Sequence, residues 1–269
     1  MIRDIMGVPE YHSIKDNMVS ISFCDDSLNK TFESIEKLGL DPSTFYQFNN
    51  YGTRSDDLTR IHNGKHVLFA GCSVTAGEGM PLDFVWSKLV YDRISREESL
   101  SGYFNIAQPG GTVIGICNQI LTYIGTFGDP DVIFLNLPDL DREDRYLRSG
   151  SESDDECTRN ATGLLIFGKY QQLAKMCRQR GIKLITFTWD DMSIRSEVAD
   201  FRRDLDDFYQ YDMDRMHRHM YDFAKKNGKH QLKDYFEYAL DEAHPGVAMH
   251  DFYAEFAYNI YRSNDDNKN

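Results

Sequence analysis

The chain is predicted to fold as an α/β domain, a parallel sheet with crossover helices. Four short apolar runs, HVLFA (66–70), YFNIA (103–107), DVIFLNL (131–137) and KLITFTW (183–189), are continuous rather than alternating. Strands covered on both faces read this way. Between the runs, apolar residues recur at helical spacing, and strict alternation of strands and helices is the signature of parallel pairing.

The elements follow in order. Residues 1–62 form a lead-in expected to pack on the main domain, with TFESIEKLGL as a short helix and FYQFNNYGTRSDDL as an aromatic, turn-rich approach. The main domain is expected over 63–262. Its first helix carries Trp86, Leu89, Val90 and Ile94 after Pro81. Its second carries Val113, Ile116, Cys117, Ile120, Leu121 and Ile124 after PGGT. A third stripe, Ile166, Tyr170, Leu173, Ala174 and Cys177, ends in basic residues and Gly181, a usual C-terminal stop. The last helix, with Met249, Phe252, Tyr253, Phe256 and Ile260, starts just after Pro245. Residues 148–160 (RSGSESDDECTRN) are acidic, serine-rich and almost without apolar side chains, which predicts a mobile surface loop; the tail 263–269 is expected to be disordered.

Composition excludes several classes. The formal net charge of −13 repels phosphate backbones and anionic lipid heads, so neither nucleic acid nor a membrane surface is an expected partner. No apolar run nears the roughly 20 residues that span a bilayer. The stretch MIRDIMGVPEYHS lacks the apolar core of a signal peptide, so the expected location is the cytoplasm of the producing cell, or a virion or host cytoplasm for a phage-encoded chain. Five scattered cysteines without C-x-x-C spacing favour thiols over disulfides or zinc. His217 and His219 are two apart on a helical stretch and do not share a face, so no metal and no cofactor is expected. A nucleotide cradle in AGCSVTAGEG is disfavoured, because it has neither a P-loop lysine nor Gly-x-Gly-x-x-Gly spacing.

Ligands of open parallel sheets bind beyond the carboxyl ends of the strands, which singles out GCSVTAGEG, AQPGGT and NLPDLDR. The first places Ser73 just past a strand. A serine hydroxyl needs a base, and DEAHP offers Asp241 and His244, three apart on the approach to a helix. At that spacing the carboxylate can fold back to imidazole Nδ1 and hold the tautomer whose Nε2 accepts the serine proton. Cys72 is the rival nucleophile, but adjacent strand-end residues face opposite ways and only one of them can meet His244. Asp139, Asp141 and Arg142 either line the crevice or cap a helix and pair with one another.

FAGCSVTAGEGMP, with Ser73 and Gly77, resembles the first block of the SGNH (GDSL-like) hydrolases, and PLDFVWSKLV is similar to the helix that follows it. FNIAQPGGT looks like the second block, DEAHP like the last, and NNYGTRSDD like a lead-in common before the first; together they cover roughly Asn49 to Arg262. The resemblance implies a three-layer α/β/α sandwich with a parallel, flavodoxin-like sheet. It also implies Ser73, Asp241 and His244 as a triad, with the N–H groups of Ser73 and Gly110 holding the oxyanion. The implied activity is a serine esterase working through an acyl-enzyme on a small-molecule or carbohydrate ester, O-acetyl groups being a common case.

Three positions depart from the family pattern. The third block is usually Gly-x-Asn-Asp, whose asparagine is an oxyanion donor, but Pro138 stands there and proline donates nothing. Asn136, two residues earlier, can substitute only if the strand end is shifted or bulged. Cys72 replaces the aspartate that often precedes the serine, and Ala107 a frequent glycine. The alternative function is therefore a catalytically weak or inactive binding or structural module of the same fold, for example in a viral or surface assembly.

Overall fold

A computed structural model describes residues 12–14, 18–20, 30–31, 33–35, 37, 46–49, 51–58, 63–138, 156–188, 208–209, 213–227, 238–241 and 243–266. A two-stranded antiparallel ribbon, β1 (His12–Ile14) and β2 (Met18–Ser20), lies in the lead-in, and the described residues between 30 and 37 are helical. The main sheet comprises β3 (Val67–Gly71), β4 (Phe104–Asn105), β5 (Val132–Leu137) and β6 (Lys183–Thr188), all parallel, in the order β4-β3-β5-β6. That order, 2-1-3-4 within the sheet, is the flavodoxin-like one. The helices are α1 (Ser73–Ala76), α2 (Trp86–Ser95), α3 (Val113–Phe127), α4 (Glu156–Arg180), α5 (Met213–Asn227) and α6 (Val247–Asp266).

Side-chain contacts assign each helix to a layer. Residues paired across parallel strands share a face, so Phe69, Phe134 and Phe187 point one way. Trp86 at the start of α2 meets Phe69 and Phe187, and Tyr253 and Phe256 of α6 also meet Phe187. His66, just before β3, meets the hydroxyl of Tyr123 of α3, and the Tyr170 hydroxyl of α4 donates to Thr186 Oγ1 from the opposite face. The result is a three-layer sandwich: α2 and α6, the sheet, then α3 and α4. Strands β3 and β5 are buried throughout, as their unbroken apolar runs require.

Two boundaries differ from expectation. Helix α4 begins at Glu156, inside the stretch expected to be a loop, while residues 148–155 lie outside the described residues. The acidity that reads as loop polarity also suits a helix N-terminus, where the macrodipole favours negative charge. Helix α6 continues to Asp266, so part of the tail expected to be disordered is helical. Asp139, Asp141 and Arg142 lie outside the described residues. No helix among the described residues is long and apolar enough to cross a membrane.

Candidate active site

Beyond the carboxyl end of β3 the chain turns at Cys72 into α1, which opens with Ser73 and closes at Gly77 in the left-handed conformation (φ 74°). The glycine is needed there, because a Cβ would fall 2.2 Å from the Val85 side chain. Gly71 is required for a different reason: the Thr75 hydroxyl occupies the space a Cβ would fill. These small residues let a one-turn helix fold tightly over the strand end.

Three side chains brace this turn. Asn105, at the end of β4, donates from Nδ2 to the Thr75 carbonyl (2.9 Å), Ser87 Oγ and Tyr103 OH, and its Oδ1 accepts from Ala107 N–H. Arg54, buried, donates through one guanidinium nitrogen to the carbonyls of Ala76, Gly77 and Met80 at 2.7–3.2 Å. It also stacks over Tyr46, whose hydroxyl accepts from Gly79 N–H. Arg54 and Tyr46 belong to the lead-in. The NNYGTRSDD stretch is tied to the main sheet as well, through Asp56, whose backbone N–H donates to the Tyr103 carbonyl and whose Oδ2 accepts from Tyr103 N–H.

The second loop, after β4, is a tight turn in which Gly111 N–H bonds the Gln108 carbonyl, with Pro109 and Gly110 at its centre and Gly110 at φ 72°. Proline at i+1 followed by a positive-φ glycine is the pattern of a type II turn. Gln108 N–H donates to the Gly71 carbonyl, which docks the loop beside the Ser73 turn. Among the described residues neither Ser73 N–H nor Gly110 N–H has an acceptor.

The DEAHP segment closes the third side. Asp241, fully buried, accepts at Oδ1 from the backbone N–H groups of Ala243 and His244, and its Oδ2 lies 2.5 Å from His244 Nδ1. The segment is stitched to the Ser73 loop, since Leu240 N–H donates to the Gly79 carbonyl and Gly79 packs on the Asp241 carboxylate. His244 Nε2 faces Glu78 Oε2 at 3.6 Å, and Glu78 is itself buried, with its N–H bonded to the Ser73 carbonyl. The Ser73 hydroxyl bonds Cys72 Sγ at 4.0 Å, and no hydrogen bond joins it to His244.

Asn136 pairs with Gly71 in a register that runs from Val67↔Val132 without shift or bulge. The condition for Asn136 to replace the missing donor by a strand shift is therefore not met. The pairing ends at Gly71 and Asn136, after which the chain of β3 turns away at Cys72 into α1. The Asn136 amide is fully buried, and among the described residues neither its nitrogen nor its oxygen has a hydrogen-bond partner.

His250, on α6, accepts at Nδ1 from Trp86 N–H. Burial, with the nearby charges of His244 and Arg54, pushes its pKa down to about 3, so it is neutral at physiological pH. Burial also pushes the Tyr103 hydroxyl up to about 12 and keeps it a neutral partner of Ser87 and Asn105. His219 bridges α5 to α6 through Asp251 (2.9 Å) and Glu255 (3.4 Å), a packing role.

Of the residues singled out in the sequence, Asp241 and His244 are in contact, and Ser73 and Gly110 stand on neighbouring loops at the same end of the sheet. The sequence does not mark Arg54, Tyr46 and Glu78 as parts of the site, and it marks Asn105 only as the residue that ends a strand in the FNIAQPGGT block. Glu78 lies within the quoted serine motif, but nothing local to it tells which way the side chain turns. A lone arginine beside two aspartates, as Arg54 is, reads as a solvated ion pair.

No protein-family model matches the chain, and no curated protein matches it. Six solved protein chains do match in structure. One is the psychrotrophic esterase EstA from Pseudoalteromonas sp., in a structure inhibited by monoethylphosphonate. The two share 14% identity, with 73% of this chain and 96% of that chain covered at a TM-score of 0.46. A likeness that loose does not speak for the activity of this chain.

Proposed function

We propose that the protein is a serine ester hydrolase with Ser73 as nucleophile, His244 as general base and Asp241 as its orienting carboxylate. The observation that carries this reading is the Asp241–His244 contact, which leaves Nε2 as the basic nitrogen, on a segment stitched to the loop that presents Ser73. In the reaction the Ser73 hydroxyl turns from Cys72 toward His244, gives its proton to Nε2, and Oγ attacks the ester carbonyl. The N–H groups of Ser73 and Gly110 hold the oxyanion, as a two-donor hole without Asn136. Collapse expels the alcohol, which takes the proton from Nε2. Water then attacks the acyl-enzyme, giving its proton to Nε2, and collapse breaks the bond to Ser73 Oγ, which takes that proton back as the acid is released. Small soluble esters and O-acetylated carbohydrates are the proposed substrates, in a cytoplasmic or virion-associated setting without nucleic-acid or membrane partners.

The Ser73–Cys72 bond and the proline at 138 favour a second reading, a binding module that keeps the fold with a silent site. A fluorophosphonate probe separates the two. Labelling of the wild type and none of Ser73→Ala supports the enzyme; an unlabelled wild type that hydrolyses no short-chain ester leaves the binding module.

A further inference from the structure

The proposed reaction uses Ser73, His244 and Asp241 but gives no task to Glu78, a buried carboxylate facing the one nitrogen the reaction needs. Ligand atoms of Glu78, Asp241 and His244 all lie within 4.8 Å of one another. At 3.6 Å the Glu78 Oε2 to His244 Nε2 separation exceeds hydrogen-bond length. It is close to the edge of a tetrahedral zinc centre, ~3.3–3.5 Å for bonds of ~2.0–2.2 Å.

The rest of the cluster fits the same chemistry. Asp241 Oδ2 holds Nδ1, so the Nε2 lone pair points away from Asp241. A carboxylate on the far nitrogen of a metal-binding histidine is the recurrent outer support of such sites. Among the described residues, two buried carboxylates, Glu78 and Asp241, stand against one buried guanidinium, that of Arg54. Arg54 directs its donors at the carbonyls of Ala76, Gly77 and Met80.

We propose that Glu78 Oε2 and His244 Nε2 form a binding site for a zinc-class divalent cation, with Asp241 as its outer carboxylate, and that the bound cation switches the site off. The cation takes the lone pair that must receive the Ser73 proton, so bound metal and general base exclude each other. No bond of the protein forms or breaks apart from this coordination, and inhibition is reversed when a chelator removes the ion. The inhibitory half rests on the esterase reading; the binding half does not.

The test begins with binding. Full-length protein is titrated with Co²⁺, read by the visible bands of a tetrahedral centre, and with Zn²⁺ by calorimetry. Wild type, Glu78→Gln, His244→Ala and Asp241→Asn are compared after circular dichroism confirms folding. The expected result is one ion per chain, lost in Glu78→Gln and His244→Ala and weakened ~10–100-fold in Asp241→Asn. Labelling of Ser73 by a fluorophosphonate should slow with zinc, recover with EDTA, and lose at least about tenfold of its zinc sensitivity in Glu78→Gln. If Glu78→Gln does not fold, Glu78→Asp, whose carboxylate is a methylene shorter, should weaken binding instead. A wild type that binds no ion, or equal binding in Glu78→Gln and His244→Ala, overturns the proposal; so does zinc that speeds labelling. If Ser73 never labels yet binding depends on Glu78 and His244, the cation site stands and the esterase reading falls.

Discussion

Replacing Asn105 tests how the nucleophile turn is held. Its Nδ2 donates to the Thr75 carbonyl at 2.9 Å and its Oδ1 accepts from Ala107 N–H at 3.0 Å, all in the buried interior. In Asn105→Ala the Ala107 N–H loses its acceptor, which costs about 1–3 kcal/mol, and Thr75 O retains the 3.4 Å contact from Ser87. With the small cavity added, the expected loss is about 3 kcal/mol. At roughly 2–4 °C per kcal/mol for a chain of this size, Tm falls by about 6–12 °C. Fluorophosphonate labelling of folded protein should slow by about ten- to a hundredfold, because the turn that carries Ser73 N–H loses its anchor. Asn105→Asp sharpens the test. It keeps the acceptor for Ala107 but sets a carboxylate oxygen against the Thr75 carbonyl, so the folded protein favours the neutral acid that can donate. The folded-state pKa of that aspartate is thus raised above the ordinary ~3.9; its contribution is intact below that value and lost as pH rises through the higher one. Asn105→Asp should be less stable at pH 8 than at pH 5, relative to wild type, in parallel thermal melts. An aspartate variant as stable as wild type at pH 8, with no change in that difference down to pH 5, would refute the claim that this amide donates to the turn.

Further outcomes are expected at three positions. Asn136→Ala should lower kcat by less than about tenfold, since the proposed hole has two donors, and should change stability by no more than about 1 kcal/mol because the amide has no partner to lose; a drop of about 10²–10³ would restore it as a donor. His250, with its pKa held near 3, makes the unfolded chain bind more protons than the folded one between about pH 6.5 and 3, so stability is full above that window and falls as pH drops through it. His250→Asn keeps an acceptor for Trp86 N–H without the titration, and its unfolding free energy, read from denaturant melts, should fall less steeply across the window, by up to about 5 kcal/mol in total at roughly 1.4 kcal/mol per unit. Gly79→Ala forces a Cβ to 2.9 Å from Asp241 Oδ1 at φ 72°; it should cost about 1–3 kcal/mol in urea melts and depress Ser73 labelling, and an unperturbed melt would show that the Gly79–Asp241 contact is loose.

Much of this protein is legible along the chain, because the relevant chemistry is local. The four apolar runs and the stripes at Trp86–Ile94, Val113–Ile124, Ile166–Cys177 and Met249–Ile260 follow from the periods of strand and helix, and the structure buries nearly all of them. The Asp241–His244 contact spans three residues, and the Gly110 turn is encoded by the proline before it. The strand order and the unshifted register of β3 on β5 depend instead on pairings between segments some 65 residues apart. Arg54 under the nucleophile turn, Glu78 against His244 and the buried amide of Asn136, without a partner among the described residues, are likewise decided by packing. Each is a polar side chain whose local pattern suits solvent as well as burial, and only the neighbours brought by the fold determine whether it braces, binds or lies idle.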